Sequence, residues 1–316
     1  MHLAQHMLSL VSIGAAVENL ILRGRRLGLA LECLPEVRSA DAPFTIMLKC
    51  RPMASPALDD LERVIEDRCT NRRLRFTGPP LAPAGLSQLQ ADAGAIEGAA
   101  IVWLDSPSQR RQALRLIRAA ETERFRNRHL HHELFSSIRF DLGWRDTTAD
   151  GLPPGALELP LVERPLFAML RSWSIQHGLN LFGVHHFIGF RAADLPCRLA
   201  PHLGVITCHG ESEAAAIAGG RALQRVWLRS AAMGLSFQVF AASAAYAYQG
   251  TRGIDAKLQC MLRDGWAELC PNTRPIIIFR MGHAAAPSVR TVRAVEGVPS
   301  RSDRATGNYT PPPEAP

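Results

Sequence analysis

Apolar residues recur at helical spacing over residues 7–29, with Val11, Ala15 and Ile21 among them. Gly28 suits a helix C-cap, and the apolar run after it predicts a strand over 29–34. Similar patterns predict helices over 57–68, 86–93, 106–134, 166–177, 213–233 and 254–265, and strands over 44–50, 99–104, 203–208 and 275–280. The irregular order favours an α+β fold, with helices packed around a mixed or antiparallel sheet.

Two stretches read as copies of one unit. Gly14–Leu29 aligns with Gly220–Leu235, and both glycine pairs keep one offset (220 − 14 = 206 and 234 − 28 = 206). Six of the sixteen aligned positions are identical. A Pro-led apolar run follows each copy, at Pro43 and at Pro275. Only thirteen residues precede the first copy, so the chain is expected to open inside its first repeat.

Composition indicates a globular protein. The 316 residues are 47% apolar and carry a formal charge of +7, nearly all of it on arginine, because only Lys49 and Lys257 are lysines. The basic residues are not interleaved with aromatic ones, which argues against a nucleic-acid partner. The seven cysteines contain no C-x-x-C pair, which favours reduced thiols in the cytoplasm. The apolar start is too short to span a bilayer, and we expect no membrane partner.

Three motifs carry a resemblance to a known family. Residues 14–22 read Gly-Ala-Ala-x-Glu-Asn-Leu-x-Leu, and Leu-Gly-Leu follows at 27–29. The second motif is Arg68, Thr70 and Arg72 with Phe76; the third is the strand Pro275–Gly282 with Arg290 and Arg293. Together, over residues 7–295, they resemble the FMN-dependent nitroreductase-like superfamily, in the branch where two units fused in one chain mimic a homodimer.

On this resemblance, residues 1–56 are the C-terminal part of a first nitroreductase-like repeat and 57–296 are a second repeat. Residues 297–316 are rich in Pro, Gly and Ser and are expected to be a disordered tail. Two features depart from the family pattern. Residues 73–75 separate Arg72 from Phe76, and the Pro-Ser-x-x-Asn loop of the family is missing around 84–100.

The resemblance implies bound FMN, reduced by NAD(P)H and reoxidised by a small nitroaromatic, quinone or enoyl acceptor. Arg68 and Thr70, joined by Arg290 or Arg293, are expected to hold the phosphate, because guanidinium geometry matches it. Arg72 is expected nearer the N1/O2 edge of the flavin ring. Since the flavin carries the chemistry, no catalytic side chain is nominated.

Two alternatives stay open. The chain could be a degenerate member that binds flavin or a partner without turnover. It could also be the detached C-terminal half of a fusion with an E1-like adenylating domain. A homodimer or an upstream domain would complete the first repeat.

Other polar residues favour structural interpretations. His129, His132 and Glu133 share a helix face, with His185 and His186 elsewhere, but a polar, pH-sensitive face is preferred to a metal site. Cys69 lies among arginines, which could lower the pKa of its thiol. Glu18 and Asn19 interrupt an apolar helix and are expected to hydrogen-bond between the repeats.

Overall fold

Antiparallel strands form the centre of the fold in the computed structural model, which describes residues 3–34, 46–56, 59–148, 150–248 and 253–290. The strands are β1 (Leu29–Leu34), β2 (Met47–Pro52), β3 (Ala99–Trp103), β4 (His202–Cys208), β5 (Ser236–Phe240) and β6 (Arg274–Gly282). The helices are α1 (Leu3–Arg26), α2 (Pro83–Gly94), α3 (Pro107–Arg126), α4 (Arg128–Ser136), α5 (Arg164–Met169), α6 (Trp173–Asn180), α7 (Val184–Gly189), α8 (Leu195–Arg198), α9 (Glu213–Ala232), α10 (Ala242–Tyr248) and α11 (Ala256–Leu269).

The main sheet has the order β3-β4-β6-β5, and every pairing in it is antiparallel. Each residue of β4 and β6 is buried, since these central strands are covered on both faces. β1 and β2 form a separate antiparallel pair. The predicted α+β class with an antiparallel sheet is therefore confirmed.

Helices α1 and α9 cross at two glycines. A Cβ on Gly14 would overlap the backbone of Ile217, and a Cβ on Gly220 would overlap the backbone of Val11. The two contacts are reciprocal, because adding 206 to 11 and 14 gives 217 and 220. Only residues without a side chain allow the helix backbones to approach this closely.

A buried polar cluster lies along the same crossing. Glu18 is 1% exposed and accepts hydrogen bonds from Arg221 and Arg225, each at 2.9 Å. Beside it, the Gln224 amide donates to Asn19 at 2.7 Å. Glu18 and Asn19 thus pair between helices, as the sequence predicted. These bonds satisfy polar groups that would otherwise destabilise the interface.

The apolar helix is longer than expected from the sequence, where its start is too short to span a bilayer. By length and composition, α1 is the one helix of the described residues that could cross a membrane, over Met7–Arg26. Half of that stretch is buried, and Glu18 lies within it. The core helix of a globular protein has the same composition, so α1 is weak support for a membrane span.

The predicted helix over 57–68 is wrong for the residues that are described. Residues 59–67 form turns around one 3-10 turn at Glu62–Val64. Leu61 packs against Leu22 and Leu228, while buried Glu62 is held by Arg23 and Arg26. These tertiary contacts outweigh helix formation in a segment too short to be stable as an isolated helix.

Two predicted helices are broken. The long helix over 106–134 is divided at Asn127, whose extended backbone ends α3. Its side chain accepts from the amides of His129 and Leu130 and so caps α4. The helix over 166–177 is likewise two, α5 and α6, separated by the turn at 170–172.

Candidate site for an anionic cofactor

The segment that carries the predicted phosphate-binding residues runs beside the edge strand β5. Thr70 forms a parallel β-bridge with Phe237, and the Asn71 amide donates to the Phe237 carbonyl at 2.9 Å. The Asn71 side chain donates to Ser236 Oγ at 3.0 Å and to the Ala285 carbonyl at 2.8 Å. These bonds fix residues 70–71 between β5 and the chain that follows β6.

Arg68 lies at the start of this segment without an acidic partner among the described residues. Its guanidinium carbon is 4.2 Å from the centre of the Trp227 ring, and its Nε is buried with no hydrogen-bond partner. Burial lowers the pKa of Arg68, while the neighbouring Cys69 opposes that shift. A buried donor without an acceptor is costly, so an anion bound here would relieve an unfavourable arrangement.

Arg72 is the second cation of the segment. Burial lowers the pKa of Arg72 as well, and Nη1 donates one long bond, 3.4 Å, to the Ala156 carbonyl. Arg72 lines a cavity of about 320 Å³ whose walls are mainly apolar. Those walls include Phe125, Leu134, Leu157, Leu159, Phe167 and Phe240.

The other two arginines of this cavity are neutralised by carboxylates. Arg124 lies 3.3 Å from Glu121, and Arg191 lies 3.0 Å from Glu163. No such pair involves Arg72 in the described part of the chain. The cavity therefore combines apolar walls with one uncompensated guanidinium, which suits a flat, partly apolar group with a polar edge.

Arg225 on α9 shows the contrasting arrangement, in which a largely buried arginine is paired with acids. Burial opposes the charge of Arg225, but hydrogen bonding to Glu18 and the charges of Glu18, Asp59 and Asp92 outweigh burial and raise its pKa. The carboxylate oxygens of Glu18 and Asp92 lie 2.9 and 3.4 Å from Arg225. Arg68 and Arg72 have no such acids among the described residues, which leaves their charge available to an external anion.

Arg280 on β6 is a positioning residue that sequence reasoning missed. It is fully buried and donates to Gln238 Oε1 at 2.9 Å, the Pro196 carbonyl at 2.7 Å and the Leu74 carbonyl at 2.8 Å. A further bond reaches the Arg73 carbonyl. Arg280 thereby ties the segment after Arg72 to the sheet. A guanidinium in the apolar run Ile276–Met281 was the available signal, since a buried charge requires partners.

The C-terminal arginines have separate outcomes. Arg290 Nη2 donates to the carbonyls of Glu66 and Asp67, at 2.9 Å each, so its guanidinium lies beside the residues that precede Arg68. Arg293 lies outside the described residues.

The histidines and cysteines have structural surroundings. Buried His131 bonds the Leu170 carbonyl through Nε2 at 2.8 Å. The rings of His185 and His186 are 4.2 Å apart on α7. Within the ranges that the structure describes, no group of three His, Cys, Asp or Glu residues could hold a metal ion. All seven cysteines are free, and Cys69 is partly buried.

No protein-family profile matches the chain, and no curated protein matches its sequence. Several solved structures are similar to it. An FMN-dependent nitroreductase from Mycobacterium smegmatis, in complex with NADPH, is 17% identical over 77% of this chain and 97% of that one, with a TM-score of 0.44. A nitroreductase with bound FMN from Bacteroides fragilis is 9% identical over 77% and 98%, with a TM-score of 0.41.

A third similar structure is a nitroreductase with bound FMN from Desulfitobacterium hafniense, 12% identical over 77% of this chain and 99% of that one, with a TM-score of 0.40. These are nitroreductase-like proteins, the family that the sequence motifs resemble. At such identities and scores the likeness carries no inference about activity, which depends on the contacts of this chain.

Proposed function

We propose that this chain is an FMN-dependent oxidoreductase of the nitroreductase type, which uses NAD(P)H to reduce a small nitroaromatic, quinone or related acceptor. The single observation that carries the proposal is the pair of desolvated guanidiniums, Arg68 and Arg72, on one short segment, neither with a carboxylate partner among the described residues. Their Cα atoms are four steps apart along the chain and therefore lie at most about 14 Å from each other. A mononucleotide is long enough to span that distance, and we propose that one molecule engages both arginines.

The residues present fit FMN. Arg68, with its unpartnered Nε, would hold the phosphate, and Arg72 would face the flavin ring in the apolar cavity. When bound, FMN accepts a hydride from NAD(P)H and passes reducing equivalents to the acceptor. A cation beside the ring would stabilise the anionic reduced form, and the apolar walls would exclude water from it.

Contacts on the chain help to orient these groups. Arg290 binds the carbonyls of Glu66 and Asp67, and Arg280 binds those of Arg73 and Leu74. The segment is thus anchored on both sides of the two candidate ligand-binding arginines. The free cysteines are consistent with the cytoplasmic location that we propose.

We also propose that α1-β1-β2 and α9-β5-β6 are copies of one unit. Gly28 and Gly234, 206 residues apart, both end a helix with positive φ, at 74° and 70°. The bond between Glu18 and Arg225 has its counterpart in the bond between Asn19 and Gln224, since 18 + 206 = 224 and 19 + 206 = 225. Reciprocal contacts of this kind are expected across a pseudo-twofold axis.

Titration of the purified protein with FMN tests the cofactor assignment, with flavin fluorescence as the readout. Arg68→Ala removes charge-assisted bonds that contribute about 1.5–3 kcal/mol, so the affinity should fall about 10- to 150-fold. Arg75→Ala is the matched control, because Arg75 is exposed in the same segment and its loss changes the net charge equally. Equal affinities for the two variants would reject the phosphate role of Arg68.

Turnover is tested separately by oxidation of NAD(P)H with a nitroaromatic or a quinone. Tight FMN binding without NAD(P)H oxidation would leave the non-catalytic alternative in place. A protein that binds no added FMN would reject the proposal as a whole.

A further inference from the structure

A layer of short helices carries apolar side chains on both of its faces. This layer, called the cap below, comprises residues 161–189 with α5, α6 and α7. Its inner side chains, such as Phe167, Leu179 and Ile188, pack over the small cluster that contains Phe125 and Phe135. Among the residues that the structure describes, no such cover lies over its outer side chains.

The outer side chains of the cap are strongly exposed. Val162 and Phe182 are each 86% exposed and Leu181 is 79% exposed. Leu161, Met169 and Phe187 are exposed as well. A helix that is apolar all round is normally buried, and apolar residues clustered at a surface mark an interaction site. Something is therefore expected to cover the cap.

Basic side chains border the cap on one side. A cleft of about 660 Å³ is lined by Arg128, His129, His132, Arg171 and Trp173, with no carboxylate in its lining. Arg171 and Trp173 both belong to the cap, and Trp173 begins α6. The cleft therefore adjoins the apolar surface of the cap. The arrangement offers cations and an aromatic ring at the edge of an apolar face.

A second basic surface borders the cap at α7. Arg111, Arg115 and Arg118 are exposed on α3 and line a cleft of about 710 Å³ together with His186 of the cap. The acids of this cleft are largely engaged: Arg126 binds Glu123 at 2.8 Å, Arg198 binds Asp194 at 2.9 Å, and Asp255 caps α11. Within the described part of the chain, two clefts that include residues of the cap thus carry basic side chains without a paired acid.

We propose that the cap docks this chain on the surface of an anionic lipid bilayer. Protruding Leu and Phe side chains would enter the headgroup region while the flanking arginines bind lipid phosphates. A second copy fits less well, because it would place the same basic borders against each other. The most exposed apolar residues lie at the 3-10 turn Leu161–Glu163 and at the turn after α6. Side chains that project from turns are better placed to enter a lipid headgroup layer than to form a concave groove for a protein segment. This revises the expectation that the chain has no membrane partner.

Flotation with vesicles tests the proposal. Binding is expected to vesicles of phosphatidylcholine with phosphatidylglycerol, weakly or not at all to phosphatidylcholine alone, and it should fall as NaCl is raised. The double variant Leu181→Ser/Phe182→Ser should bind at least tenfold more weakly. Arg128→Gln and Arg171→Gln should each weaken binding about fivefold.

Two controls separate the cap from general surface properties. Met47→Ser removes an exposed apolar side chain on β2, and Arg63→Gln removes an exposed charge after β2; neither should change vesicle binding. Equal binding to both kinds of vesicle, no binding at all, or loss of binding in the controls would overturn the proposal. So would a dimer, measured by light scattering, that the Leu181→Ser/Phe182→Ser change dissociates.

Discussion

The close crossing of α1 and α9 predicts that one added methyl group destabilises the whole fold. In Gly220→Ala the new Cβ would lie 2.9 Å from Val11 Cα and closer still to the Val11 carbonyl oxygen, whereas ordinary contacts begin at 3.4 Å. The atoms it meets belong to the backbone and have no alternative rotamer. The two helices must therefore separate, along a crossing that also contains Glu18.

Two opposing terms set the size of the effect. Overpacking in a core costs about 1–3 kcal/mol, and contact with backbone atoms places this site at the upper end. Replacing Gly by Ala inside a helix contributes about 1 kcal/mol in the other direction. Gly220→Ala should therefore lower the free energy of unfolding by about 2 kcal/mol. Gly14→Ala should lower the free energy of unfolding by a similar amount. In the double variant the loss of free energy should be smaller than the sum of the two single losses, because both substitutions push the same two helices apart.

Urea unfolding followed by circular dichroism measures these changes. Gly178→Ala in α6 is the matched control, because a Cβ there meets nothing within 4 Å. That variant should be about 0.5–1 kcal/mol more stable than the parent. A Gly220→Ala variant as stable as Gly178→Ala, or additive effects of the two crossing substitutions, would rule out a steric clash at this crossing.

Three further predictions concern buried titratable groups. Glu18→Gln should lower the free energy of unfolding by about 3 kcal/mol in the same assay, because it removes a buried carboxylate between two arginines; a change below 1 kcal/mol would contradict that role. His202 Nε2 accepts the Leu81 amide at 2.8 Å, and burial lowers its pKa from 6.5, with Asp105 opposing and Arg110 assisting. As the pH falls below about 6.5, the unfolded chain gains a proton that the folded chain excludes. Stability should therefore decrease, and His202→Gln should flatten this decrease; an unchanged pH profile would exclude His202 as its source. Finally, burial raises the pKa of three thiols to about 12. At pH 8 these thiols should react with a disulfide reagent only after the protein unfolds, whereas the exposed Cys50 and Cys260 should react at once. Modification of the three buried thiols before unfolding, detected by mass spectrometry, would contradict this prediction. These thiols are Cys197, Cys208 and Cys270.

Local signals predicted much of the fold. The Ser106 side chain and Gln109 form a capping box, so the start of α3 is encoded within four residues. Gly28 and Gly234 end their helices in the left-handed conformation that glycine adopts most easily. The sequence did not reveal the break at Asn127, because the break also depends on a distant contact. The side-chain amide of Asn127 donates to the carbonyl of Gly253, which is more than one hundred residues away in the sequence.

The candidate site was partly predictable. The Arg-x-Thr-x-Arg pattern identified Arg68 and Arg72, and the structure gathers both beside β5. Their lack of carboxylates depends on three-dimensional neighbours, as does the cavity that Arg72 lines. Arg280 was missed because its acceptors come from three separated segments, at residues 73–74, 196 and 238.

The four acceptors of Arg280 bear on the kinetics of ligand capture. The Arg280 guanidinium already holds the backbone next to Arg72 in place in the folded protein. Because of this, the segment has little conformational entropy left to lose when a ligand binds. Association should then approach the rate of diffusional encounter. Arg280→Met would shift the ordering cost to the binding step and slow capture.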